Sequence, residues 1–116
     1  MLQTGKWGED EAEKFLKNKG YRIVARNYRF KKTEIDIIVV KDNVVVAVEV
    51  KTRTGVKVES PFFAISRQKQ RNLILGINAY VQNIKQEVET RMDAVSIVKW
   101  DNTFNITHIE DAFPPF

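Results

Sequence analysis

Val44-Val45-Val46-Ala47-Val48-Glu49-Val50-Lys51 is a β-branched run that closes on a carboxylate and an ammonium two residues apart. In a strand, side chains i and i+2 share a face, so Glu49 and Lys51 stand together while Val46, Val48 and Val50 face the other way. Immediately upstream, Glu34-Ile35-Asp36-Ile37-Ile38-Val39-Val40 is a second apolar run with acids set into it. Lys41-Asp42-Asn43 is short enough to join the two as an antiparallel hairpin. Asp36, Glu49 and Lys51 then stand inside a sheet, where charge is expensive unless something compensates it.

Working outward, residues from about Lys6 to Lys19 read as a helix with Ala12, Phe15 and Leu16 as its apolar stripe and Gly20 as its stop. Glu9 borders that stripe and could look toward a neighbouring strand. The alternative is that Glu9, Asp10 and Glu11 occupy the first turn, where the helix dipole favours negative charge. Tyr21 to Arg29 alternates loosely as a first strand. Residues 52–63 carry Gly55 and Pro61 without a clear period and read as a long loop. A helix is expected from Ser66, its N-cap, to about Gln86, with Leu73, Ile77, Tyr80 and Ile84 as its stripe. Met92 to Trp100 is a further strand, placed parallel to Val44–Lys51 by the intervening crossover helix. Phe104 to Ile109 is a last strand, expected at an edge, and Ala112 to Phe116 a tail limited by two prolines. The order is helix, three antiparallel strands, helix, strand, strand. An α/β sandwich around one mixed central sheet satisfies it.

The 116 residues suit one domain with a modest core, and 43% hydrophobic content argues against disorder. Nineteen basic against fifteen acidic residues give a net charge of +4, which favours a polyanionic partner without requiring one. The absence of cysteine excludes disulfides and thiolate metal sites, and a lone histidine, His108, leaves no histidine cluster for zinc. His108 reads as a partly buried structural residue, and Trp7 falls off the first helix's stripe. No apolar run has signal-peptide form or the length to span a bilayer, so a cytoplasmic protein is expected.

Two carboxylates about 4 Å apart repel by about 4 kcal/mol at an effective dielectric near 20, so a dry Asp36/Glu49 pair needs positive charge beside it. Lys51 offsets one of them. If Glu9 also points inward, three negative groups face one ammonium, and a divalent cation becomes the natural neutraliser. Oxygen-only ligands favour Mg²⁺ or Mn²⁺ over zinc. A simple salt bridge from Lys51 to either acid stays open as the alternative. Arg26, Arg29, Lys31 and Lys32 interleave with Tyr28 and Phe30, a combination that suits phosphates and stacked bases, and equally a solvated strand end. Arg67, Lys69 and Arg71 crowd the start of the second long helix. Positive charge is unfavourable there unless an anion is bound, and Lys69 borders the buried stripe.

An acid followed, after a hairpin, by Glu-x-Lys resembles the PD-(D/E)xK nuclease superfamily, whose restriction-endonuclease-like αβββαβ core has the order just described. More closely, Gly8-Glu9-Asp10, Gly20-Tyr21, Ala25-Arg26-Asn27-Tyr28, Glu34-Ile35-Asp36, Val48-Glu49-Val50-Lys51-Thr52-Arg53, Lys69 and Arg91-Met92-Asp93 resemble the YraN-like family, which is similar to archaeal Holliday-junction resolvases. Thr33 stands where that family usually has glycine, and Ala47 where an aromatic is common. The resemblance implies a Mg²⁺- or Mn²⁺-dependent endonuclease acting on DNA, branched or structured, with a homodimer expected for junction cutting. It implies Asp36 and Glu49 as metal ligands, the Val50 carbonyl and Glu9 completing the set, and Lys51 at the attacking water or the phosphate. Arg53, with the basic residues named above, would contact the nucleic acid. A nucleic-acid- or partner-binding module that keeps the fold without turnover is the competing reading.

Overall fold

The computed structural model describes residues 4–55 and 65–113. Helix α1 (Thr4–Asn18) leads into β1 (Arg22–Phe30), β2 (Thr33–Lys41) and β3 (Val44–Thr54). Helix α2 (Arg67–Val81), β4 (Glu89–Trp100) and β5 (Thr103–Ile109) follow. The five strands form one sheet in the order β1-β2-β3-β4-β5, in which β3 and β4 run parallel and the other neighbours antiparallel. It is a mixed α/β fold with a helix on each face, consistent with a restriction-endonuclease-like core. Among the described residues, no helix is long and apolar enough to cross a membrane.

The alternation of β3 sorts its side chains as its sequence requires. Val46 and Val48 pack with Ala12 and Leu16 of α1, together with Ile37, Val39, Val95 and Ile97. Val45 and Ala47 pack with Leu73 and Ile77 of α2, together with Ile35, Ile38 and Phe113. Glu49 and Lys51 therefore belong to the α2 face. The hairpin turn is two residues long: Asp42 and Asn43 have φ of 51° and 69° between the paired Lys41 and Val44. That is the left-handed pair of a type I′ turn, which short polar residues tolerate best.

Helix α1 ends as its glycine suggests. Gly20 has φ of 97°, its N–H reaches the Lys17 carbonyl at 3.0 Å, and the Tyr21 N–H reaches the Leu16 carbonyl at 3.0 Å, a Schellman closure. Its start differs from expectation. The helix begins at Thr4, so Glu9, Asp10 and Glu11 lie beyond the first turn, and the dipole does not account for them. Their partners are side chains: Lys6 for Asp10, Lys14 for Glu11, and above all Arg26 of β1. Trp7 gains a place as well, edge-on to Phe104 at 5.0 Å with the Lys99 ammonium 4.9 Å from its ring centroid.

Three further boundaries move, the first being the start of β4, at Glu89 instead of Met92. Thr52, Arg53 and Thr54 continue β3, because β4 keeps pairing with them as far as Thr54 opposite Lys99; of the expected loop, residues 56–63 lie outside the described residues. Helix α2 stops at Val81, with Ile84 reaching the same apolar cluster from the turn beyond. Ser66 is its N-cap, accepting from the Lys69 N–H at 3.1 Å.

At Gly8, α1 packs tightly on β3: a Cβ there would overlap the Thr52 hydroxyl. Overpacking of this kind costs about 1–3 kcal/mol, whereas alanine in place of glycine favours a helix by up to about 1 kcal/mol. Gly8→Ala is therefore expected to destabilise the protein and to become neutral or stabilising in a Thr52→Ala background. A double-mutant cycle by urea denaturation reads the change of sign, and additive effects would dismiss the steric account.

Candidate active site

The site is made by an interruption in the hairpin. The β2–β3 ladder runs from Lys41 opposite Val44 to Ile37 opposite Val48, and β2 then stays with β1 as far as Thr33 opposite Phe30. Ile37 packs on the α1 side and Ile35 on the α2 side, although residues two apart in a regular strand share a face. The strand thus turns about Asp36. Its neighbour across β1 is Asn27, bracketed by the pairs Arg26–Ile37 and Tyr28–Ile35 and itself at φ 52°, a conformation asparagine tolerates.

Where the ladder stops, the Asp36 side chain replaces it. Asp36 Oδ2 accepts the Val50 N–H at 2.8 Å. In a strand the N–H and C=O of one residue point to the same edge, so the Val50 carbonyl faces this gap too. Glu49 comes from the α2 face of β3, with its side chain 17% exposed, and Lys69 Nζ lies 3.7 Å from its Oε2. The Ser66 cap fixes the turn of α2 that carries Lys69.

The two carboxyls burden each other. Burial, then the charge of Glu49, pushes Asp36 up to about 7; Glu9 adds to this, while the Val50 N–H and Lys69 oppose it. Burial also raises Glu49 against the pull of Lys69, Lys51 and a hydrogen bond with Asp36. Both carboxyls are therefore held above their ordinary range in the bare protein. The polar atoms that Asp36, Glu49 and the Val50 carbonyl bring to the gap are all oxygens, and one of them, Glu49 Oε1, is buried with no hydrogen-bond partner among the described residues.

Glu9 is placed differently from a third ligand. Its Oε1 accepts from Arg26 Nη2 at 3.1 Å and Asn27 Nδ2 at 3.2 Å, and it reaches Asp36 through charge. Among the described residues, no group of three or more His, Asp or Glu side chains is gathered to hold a metal. Arg26, expected at phosphates, is engaged by Glu9, by Asp10 at 2.8 Å and by Glu13 at 3.2 Å, so it ties β1 to α1. Lys51 is exposed on the Glu49 face. Arg53 Nη2 donates to Ser96 Oγ at 3.2 Å. Arg67 and Arg71 are exposed on α2, Arg29 is exposed on β1, and Lys31 and Lys32 form the exposed β1–β2 turn.

A second polar cluster went unread in the sequence. Asp93, with a fully buried side chain, accepts from Arg91 Nε and Nη2 at 2.8 Å each, from the Asp111 N–H at 3.0 Å and pairs with His108 Nε2 at 2.7 Å. Arg91 Nη2 also donates to the Tyr21 hydroxyl at 2.6 Å. Burial alone would raise Asp93, but the bonds from Arg91 and His108 outweigh it and hold the carboxyl below its ordinary range. His108 is thus structural, as expected. The available signal was Arg91-x-Asp93, which shares a strand face by the same spacing as Glu49-x-Lys51.

A family model described as "Uncharacterised protein family UPF0102" matches residues 8–97, a span holding both acids, Lys51, Lys69, Arg91 and Asp93 but not His108. A UPF0102 protein of Flavobacterium psychrophilum is 42% identical over 112 residues, covering 97% of this chain and 94% of that protein. One from Chloroherpeton thalassium is 44% identical over 118 residues, covering 94% and 92%. One from Prosthecochloris aestuarii is 39% identical over 116 residues, covering 94% and 91%. With most of its length matched by the family model and by relatives of its own size, the chain belongs to the UPF0102 family.

Proposed function

We propose that the protein is a Mg²⁺- or Mn²⁺-dependent nuclease of the PD-(D/E)xK type that hydrolyses phosphodiester bonds in DNA. The observation that carries this reading is the buried Asp36/Glu49 pair at the gap between β2 and β3, with Lys69 and Lys51 beside it. Asp36, Glu49 and the Val50 carbonyl would hold the cation, with Glu9 adding negative charge from α1. The bound cation would supply polarisation of the phosphate and acidification of a water. Lys51, exposed beside Glu49, is suited to orient the attacking water and to meet charge developing on the phosphate. Lys69 would hold Glu49 in place and present positive charge to the incoming strand. Arg26 is a positioning residue that keeps Glu9 and the start of α1 against β1.

Burial of the acid pair makes the metal-free protein sensitive to pH in a definite direction. A carboxyl that titrates near 7 when folded and at its ordinary 3.8 when unfolded binds more protons in the folded state between those values. The contribution of Asp36 to stability is then fully present below the unfolded value and is lost as pH rises from about 4 to about 7. Urea denaturation in chelator is expected to show this decline, and Asp36→Asn to flatten it. A rise over the same interval would contradict the burial of the pair.

The functional test is one panel of branched, single-stranded and duplex DNA incubated with Mn²⁺ or chelator, for the parent and Asp36→Ala. Cleavage by the parent with Mn²⁺ alone is the expected result. Salt-dependent binding without cleavage would favour the competing module without turnover, a reading consistent with Lys69 on Glu49 and Arg26 on Glu9.

A further inference from the structure

The β1–β2 turn and α2 form a half-open pocket of about 290 Å³ lined by Phe30, Lys31, Lys32, Thr33, Asn72 and Leu75. The elements that carry the site also carry the pocket. Asn72 follows Lys69 by three residues on α2, about 5 Å along a helix axis, and Thr33 precedes Asp36 by three on β2, about 10 Å along a strand. A nucleotide adjoining a phosphate at the acid pair is within reach of it.

The lining has an uncommon combination of properties. Leu75 is 52% exposed, the most exposed large apolar side chain among the described residues, although it stands one residue from the buried Gly76. Phe30 is half-buried, and the Lys31 ammonium lies 5.4 Å from its ring centroid. Lys31 and Lys32 bring positive charge to the rim. Thr33 is 6% exposed, and its hydroxyl is buried with no hydrogen-bond partner among the described residues. Asn72 Oδ1 accepts from Gln68 Nε2 at 3.1 Å, which orients its NH₂ group as the remaining donor.

We propose that this pocket receives a nucleobase that is out of its stack, so that the substrate class is nucleic acid with unpaired nucleotides next to the scissile phosphate. The inference rests on the nuclease reading for the phosphate and adds a subsite for the base. An aromatic ring and an aliphatic side chain offer a planar group two apolar contacts, and base–aromatic stacking tolerates any sequence because every base has a π-face. The flanking lysines match the phosphates on either side of such a base. A continuous duplex presents only base edges and phosphates and leaves the apolar walls exposed. The volume is just under the range of about 300–1,000 Å³ that takes whole drug-sized ligands, and suits a single ring system.

The test is equilibrium binding in chelator, where no chemistry is required, using DNA carrying 2-aminopurine either in a short single-stranded gap or fully paired. The parent is expected to bind the gapped probe about tenfold more tightly than the paired one, with a change in 2-aminopurine emission. Phe30→Leu and Leu75→Asn are each expected to shrink that preference to about twofold or less while leaving duplex affinity and its salt dependence unchanged. Equal affinity for both probes in the parent overturns the proposal, as does a full preference in both variants. A change of oligomeric state in Leu75→Asn without a change in DNA affinity also overturns it, and assigns the surface to a second copy of the chain. Cleavage with Mn²⁺, run alongside on the parent and Asp36→Asn, separates the two readings. Asp36-dependent cleavage without a gap preference removes the pocket alone, and a gap preference without cleavage removes the nuclease alone.

Discussion

Asp36→Asn is expected to lose metal-dependent cleavage by a factor on the order of 10³ or more, about 4 kcal/mol of transition-state stabilisation, and to gain stability at neutral pH in the absence of metal. The two effects have one origin. The amide can no longer serve as an anionic ligand, and it removes a buried charge that burial and Glu49 make unfavourable. The amide oxygen keeps an acceptor for the Val50 N–H, so the bond that closes the gap between β2 and β3 can persist. A substitution that merely damaged the fold would lower activity and stability together. Urea denaturation and initial cleavage rates on the same preparations distinguish these outcomes. Retained activity, or lost activity with lost stability, would remove Asp36 from the proposed role.

Asp93→Ala is expected to do the reverse and act on stability. It would leave the Arg91 guanidinium, the buried His108 ring and the Asp111 N–H without their shared acceptor. Removing one partner of a buried ion pair costs about 3–5 kcal/mol, a large part of the roughly 5–15 kcal/mol that holds a domain together. Arg91→Met, which removes charge and keeps volume, should cost less than Asp93→Ala, since Asp93 keeps His108 and the Asp111 N–H. The stabilisation is present above the ordinary carboxyl value of 3.8 and is lost as pH falls below it, because Asp93 is held lower in the folded protein. Urea midpoints of the two variants at pH 7, with unchanged denaturant slope, measure the effect. A loss below about 1 kcal/mol for Asp93→Ala would mean that the cluster is not a structural clamp.

The contrast between these two aspartates shows what sequence could and could not supply. The hairpin, the parallel β3–β4 pairing and the crossover helix followed from local patterns: β-branched runs, a polar turn and a four-three-four stripe. Asp36 and Glu49 were legible because charges inside apolar runs stand out against strand periodicity. Lys69 was legible because it borders a helical stripe, and its ammonium lies 3.7 Å from Glu49 Oε2. The partner of Glu9 was not legible, since Arg26 lies 17 residues away on a strand whose register is broken by a bulge between Ile23 and Ala25. The direction of Asp36 depends on the turn of β2 opposite Asn27, a backbone feature no side-chain period announces. His108 meets Asp93 only because β5 returns along β4, and Tyr21 meets Arg91 across 70 residues. The extension of β3 to Thr54 was hidden because polar residues there are held by their parallel neighbour rather than by their own pattern.

Cation binding at the Asp36/Glu49 pair is the claim on which the proposed chemistry stands, and calorimetric titration with Mn²⁺ near pH 7 tests it without a substrate. Burial pushes both carboxyls up and metal binding needs them ionised, so binding is expected to release protons and its heat to depend on the ionisation enthalpy of the buffer. The predicted result is saturable binding to the parent with proton release, and no binding at this site in Asp36→Asn. The same binding isotherm in both proteins, or no binding to the parent, would contradict the assignment.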